Sequence, residues 1–193
     1  MKPQGSIPTS PPRRPTREEL LAAVGRTMPD LLAPGLRILF CGINPSLYSA
    51  VVGYHFARPG NRFWPTLHAA GFTRHQLGPS EQEELLRLGY GITNVVDRAT
   101  ATAAELAATE LTEGGRRLNA KLRRYRPRFL AMLGISAYRL AFGKPEAQLG
   151  LQPETIGSTR LWVLPNPSGL NAHYQLKDLA RLYRELRRAA ERN

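Results

Sequence analysis

The sequence predicts an α/β fold: a short four-stranded parallel sheet covered by helices on both faces. Three observations predict it. Apolar runs around Leu36–Cys41, Phe129–Leu133 and Arg160–Leu164, with a shorter one at Gly91–Val96, are dense in branched and aromatic residues, as strands buried on both faces are. Segments with helical spacing fall between them, which is the pattern of a parallel sheet with crossover helices. Glycine and proline mark the ends of the runs. A chain of 193 residues fits one domain with a full core. The expected division is a disordered basic arm over 1–17 and a single domain over 18–193.

In chain order, the arm carries Pro3, Pro8, Pro11, Pro12 and Pro15 among Arg13, Arg14 and Arg17, a composition that cannot pack. Thr16 followed by Glu19 is a capping pattern, so a short helix starts there and runs through Leu20, Leu21 and Val24. The first strand ends at Cys41-Gly42, and Ile43-Asn44-Pro45-Ser46 leaves the sheet. Residues 47–62 read as an aromatic-rich loop holding Tyr48, Tyr54 and Phe56. Phe63 and Trp64 open a helix that continues through Leu67 and Ala70. Residues 81–88 read as an amphipathic helix with Leu85, Leu86 and Leu88 inward. A basic helix over 112–125 stops at Pro127, a short helix occupies 136–140, and 143–155 reads as a variable loop. The last helix shows an apolar stripe of Leu176, Leu179, Tyr183, Leu186 and Ala190.

Charge narrows the partner. Lys and Arg number 27 against 15 Asp and Glu, a net charge of +12. A field of that sign attracts polyanions, nucleic acid first, with solubility alone or a membrane surface as alternatives. Arginine outnumbers lysine, which suits phosphate oxygens. Cys41 is the sole cysteine, so no internal disulfide forms. The four histidines lack metal-ligand spacing, no glycine-rich phosphate or dinucleotide motif follows a strand, and neither a metal nor a cofactor is expected. No apolar run is long enough to span a membrane and no secretory leader is visible, so a cytoplasmic location is expected.

Strand ends are where such sheets place their working residues. Asn44-Pro45-Ser46 follows the first strand and Asn166-Pro167-Ser168-Gly169 follows the last, suggesting two walls of one site. Phe56, between His55 and Arg58, is a platform for a flat ligand. Asn44 either works in the site or caps the following helix. Asp97 is the one carboxylate nearby, and reads as catalytic, as a partner of Arg98, or as a helix cap.

Taken together, Gly42-Ile43-Asn44-Pro45, the segment Phe56-Ala57-Arg58-Pro59-Gly60-Asn61-Arg62-Phe63-Trp64, Thr93 to Thr100, Gly157-Ser158-Thr159 and Asn166-Pro167-Ser168-Gly169-Leu170 closely resemble the mismatch-specific uracil-DNA glycosylases, relatives of thymine-DNA glycosylase. The resemblance covers about residues 30–190. It implies a three-layer α/β/α domain with a short four-stranded parallel sheet. It also implies a monomeric, monofunctional glycosylase that flips uracil, with related damaged pyrimidines as further candidates, from G·U or related mismatches in double-stranded DNA and hydrolyses the N-glycosidic bond to leave an abasic site. A non-catalytic lesion-binding module of the same fold is the alternative. By the same resemblance Asn44 positions water, aided by Asp97. Phe56 stacks on the flipped base, the backbone around Ser46 to Ser49 and Phe56 reads its edge, Ser49 helps to exclude thymine, and Asn166 lines the wall. Gly169, Leu170 and Asn171 enter the DNA, Leu170 as a wedge or as plain loop packing. The chain departs from the family pattern at Ser46, where glycine is common, at Ala172, where some relatives carry arginine, and at Asn94, where some carry lysine.

Overall fold

The computed structural model describes residues 14–192. The expected arm lies outside the described residues except for its last few positions. There Thr16 caps helix α1 (Arg17–Leu21) through the capping box with Glu19.

Five strands form one sheet: β1 (Ile38–Gly42), β2 (Tyr90–Asn94), β3 (Phe129–Leu133), β4 (Gly150–Ile156) and β5 (Thr159–Leu164), in the spatial order β2-β1-β3-β5-β4. The four expected strands are present and mutually parallel. The sheet is nevertheless mixed, which corrects the expectation of four parallel strands. β4 pairs antiparallel with β5 at the edge, within the segment expected to be loop. Its register shifts between Leu151 and Thr155, around Pro153, and edge strands are where proline and bulges are tolerated. Ile156 pairs with Thr159, so Gly157-Ser158 make a two-residue turn, with Gly157 left-handed at φ 58°.

The helices are α2 (Leu47–Val52), α3 (Phe63–Ala69), α4 (Gln82–Arg87), α5 (Ala108–Tyr125), α6 (Ile135–Phe142) and α7 (Leu176–Glu191). α2 falls where the sequence predicts loop; Ser46 caps it by accepting from the Ser49 N–H, and left-handed Gly53 ends it. Alternation along the strands splits the core in two. Ile38, Phe40, Phe129 and Ala131 face α3, α4 and α7, meeting Phe63, Leu67, Leu85, Leu179 and Tyr183. Leu39, Cys41, Leu130 and Met132 face α5 and α6, meeting Leu118, Leu122, Ala137 and Tyr138. Leu88 and Leu176, read as inward, are partly exposed at their helix ends.

This order places β1 between β2 and β3, so the chain leaves β1 for one neighbour and later returns to the other. The crevice at that reversal, above the strand carboxyl ends, is where open α/β sheets bind ligands.

Candidate active site

A cavity of about 410 Å³ occupies that crevice. Its walls come from strand ends: Gly42, Ile43 and Asn44 after β1, Asn94 closing β2, Leu133 closing β3, and Asn166 after β5. Ser46, Ser49, Phe56, Thr100, Ser168, Leu170 and Asn171 complete it. The two Asn-Pro-Ser turns thus close on one space.

Asn44 is held by its amide nitrogen, which donates to the Arg98 carbonyl at 3.1 Å and to Thr100 Oγ1 at 2.7 Å. Thr100 Oγ1 spends its own proton on the Thr102 carbonyl at 2.7 Å, so it can only accept from Asn44. Both partners therefore demand the NH₂ side of the amide. Among the described residues Oδ1 has no partner, which leaves an acceptor on a residue that lines the cavity.

Phe56 forms the platform. Its backbone is left-handed at φ 53°, and its ring stacks on Phe63 at 4.1 Å. The neighbouring residues anchor that conformation. The buried His55 ring bonds the Pro29 carbonyl at 3.0 Å, and Trp64 Nε1 donates to the His55 carbonyl at 3.0 Å. Burial keeps the His55 imidazole below its ordinary pKa, so it is neutral at neutral pH. Phe63 and Trp64 are core residues, as expected.

Above the platform, the hydroxyls of Ser46 and Ser49 lie 3.0 Å apart, and Ser49 Oγ accepts from the Ala57 N–H at 3.1 Å. Ser49 is almost fully buried, so this wall is fixed. On the facing side Asn94 is 5% exposed, and its amide has no hydrogen-bond partner among the described residues. A Cβ at Gly42 would lie 2.5 Å from Asn94 Oδ1 and 3.2 Å from Phe56 Cζ. The Phe56 ring and the Asn94 amide therefore meet at a strand end where any side chain would crowd both.

The 166–174 loop is tied down from two directions. Asn166 Oδ1 accepts from the Ser168 N–H, and Asn171 Nδ2 donates to the Asn166 carbonyl, each at 3.0 Å. Arg62 binds three of the loop's carbonyls: Tyr174 at 2.5 Å, Ser168 at 2.5 Å and Asn171 at 2.8 Å. A Cβ at Gly169 would sit 2.5 Å from the Gly60 carbonyl, so glycine lets the two segments touch. Leu170 stands out of this braced loop, 71% exposed.

Asp97 does not join the group. It is absent from the walls of this cavity and pairs with Lys121 at 3.6 Å, beside Asp30, which holds the same ammonium at 2.6 Å. The expected pairing with Arg98 is not found either: Arg98 pairs instead with Glu110 at 2.6 Å. The chain turns after Asn94 so that three further residues carry the carboxylate to the α5 side. Nothing in the sequence singles out Arg62 or Thr100, whose partners lie far along the chain. Asn94 had a usable signal, being an asparagine at a strand's carboxyl end like Asn44. Among the described residues no cluster of side chains is suited to a metal ion, and no helix is long and apolar enough to cross a membrane.

Residues 29–187 match the family model described as the uracil DNA glycosylase superfamily. Among solved structures, a candidate uracil DNA glycosylase from Methanosarcina acetivorans, determined in solution, matches with a TM-score of 0.54 at 20% identity, covering 85% of this chain and 99% of that one. At that identity the likeness is one of fold.

Proposed function

The chain belongs to the uracil DNA glycosylase superfamily, and from that premise we propose that it is a monofunctional glycosylase releasing uracil from G·U mispairs in duplex DNA. The observation that carries the reading is the locked amide of Asn44, a residue that borders the cavity and whose Oδ1 has no partner among the described residues. Cleavage of the C1′–N1 bond sends its electron pair onto the uracil ring and leaves cationic character on the sugar. Water held by Oδ1 then adds to C1′ and gives its proton, through solvent, to the released uracil anion. An amide cannot take that proton to any extent, so its contribution is placement, and the leaving pyrimidine supplies its own driving force as a stabilised anion.

The remaining residues fit a flat, extruded pyrimidine. Phe56 offers a ring face braced by Phe63. Stacking on such a face stabilises a captured base by about 1–3 kcal/mol. The unpartnered Asn94 amide carries one donor side and one acceptor side, matching the N3–H and O4 of uracil. Ser46 and Ser49 form the fixed wall against a 5-methyl group, which supports preference for uracil over thymine. Leu170, with Gly169 and Asn171 beside it, is the wedge that fills the vacated stack. Asp97 has no part in this scheme.

The test is release of uracil from a G·U duplex, followed by alkali cleavage of the abasic strand. The wild type cleaves, and Asn44→Ala loses about 10²-fold or more in single-turnover rate while still binding the duplex. Unchanged turnover in that variant would place the chemistry on another residue. Tight G·U binding by the wild type with no abasic product would make the protein a lesion-recognition module.

A further inference from the structure

The parallel strands have a second end, and it is lined with arginine. Arg37 immediately precedes β1, and Arg160 lies near the start of β5. The register sets Ile38 beside Phe129 and Phe129 beside Arg160, so both arginines lie at one end of the sheet. α5 finishes at the same end with Arg123 and Arg124 in its last turn and Arg126 as its left-handed cap at φ 49°. Between that helix end and the Gly157-Ser158 turn is a cavity of about 350 Å³. Arg123 and Arg126 line it together with Ser158, and no carboxylate does.

Among the described residues Arg37, Arg123, Arg124, Arg126 and Arg160 form no ion pair with an acid. Some arginines elsewhere sit on acids, as in Arg98–Glu110, Arg116–Glu113 and Arg187–Glu191, and others, such as Arg139 and Arg184, donate to backbone carbonyls. Among the described residues Arg123 donates to Asn119, Arg160 lies over the Phe129 ring at 5.0 Å, and Arg126 has no ion pair. The α5 carboxyl terminus favours cations, which accounts for Arg123 and Arg124 but not for the strand-borne Arg37 and Arg160. Two guanidinium groups on a carboxylate-free cavity, with Arg37 and Arg160 at the same end of the sheet, suit phosphate oxygens.

The five-residue strands put this face about 17 Å below the active-site crevice, on the opposite end of the sheet. A straight duplex lying across the crevice cannot also touch it. We propose that this basal arginine face is a second, sequence-independent binding surface for the phosphate backbone of another nucleic-acid segment, so that one protein molecule bridges two duplexes. The surface does not depend on base-excision chemistry, and its test needs no uracil.

Two uracil-free duplexes, one labelled with an energy-transfer donor and one with an acceptor, are mixed with the full chain. The wild type brings the labels together at low salt. The triple variant Arg123→Gln, Arg126→Gln, Arg160→Gln loses the transfer, and the slope of log affinity against log salt falls by roughly 2–3, at about 0.9 per phosphate contact. Its melting temperature and its rate of uracil release from saturating duplex match the wild type. A charge-matched control, Arg116→Gln, Arg117→Gln, Arg181→Gln, bridges normally. Undiminished bridging by the first variant, equal loss in the control, or impaired uracil release by a folded first variant would each overturn the proposal. Absence of uracil release in the wild type would bear only on the glycosylase reading.

Discussion

One methyl group at position 42 closes the candidate site. A Cβ there would meet Asn94 Oδ1 and the Phe56 ring, while the Gly42 backbone is ordinary extended strand that alanine adopts freely. Gly42→Ala should therefore fold, with its cost concentrated in the crevice, where overpacking amounts to about 1–3 kcal/mol. Single-turnover uracil release should fall by about one to two orders of magnitude with only a modest change in melting temperature. Normal release would show that the base does not lie between Phe56 and Asn94. At this scale the sequence is informative where a residue sits inside a rigid local grammar. Asn44 and Asn166 each precede a proline, Phe56 lies in a segment punctuated by proline and glycine, and all three reach the cavity. Asp97 is misleading because nearness along the chain to Asn94 does not survive the turn toward Lys121. The Asn44–Thr100 bond joins residues 56 positions apart, and no pattern of residue types announces it.

Between single residues and the whole lies the loop that presents Leu170. It contains no regular structure of its own, and Arg62 at the start of α3 supplies much of its bracing. Arg62→Gln keeps a polar side chain but cannot span three carbonyls, and hydrogen bonds from a charged donor contribute about 1.5–3 kcal/mol each. If Leu170 acts as the proposed wedge, the expected outcome is a split: a large loss of uracil release on duplex and a small loss on single-stranded uracil DNA. Equal losses on both substrates would assign Arg62 to general stability. Elements vary in how plainly they are written. β1, β3 and β5 are continuous apolar runs and α7 is one clean stripe, so each is visible in sequence. β4 is not: an edge strand with an internal proline and a register shift lacks both the apolar run and the alternation. α2 escapes for another reason, since its six residues, Leu-Tyr-Ser-Ala-Val-Val, include three that favour strand by propensity and become helix through the Ser46 cap.

As a whole, the molecule separates its tasks along the strand axis. Carboxyl ends carry amides and an aromatic platform, amino ends carry guanidinium groups, and two apolar layers fill the space between. The net charge of +12 announces a polyanion but not its place on the surface. Only the register of β1, β3 and β5 gathers Arg37 and Arg160 with the end of α5.

Strand β1, paired on both sides, also carries the chain's only thiol. Cys41 is fully buried, and burial pushes that group well above its ordinary pKa, so almost no thiolate exists in the native protein. An electrophile such as Ellman's reagent can reach it only when β1 comes free of both layers. Labelling should run about 10³-fold or more slower than for an unfolded control, accelerate with urea, and slow further when DNA is bound. Full labelling of native protein within seconds would mean that β1 opens without global unfolding. With a single buried reporter inside the sheet, this protein carries a built-in gauge of how often its interior meets solvent.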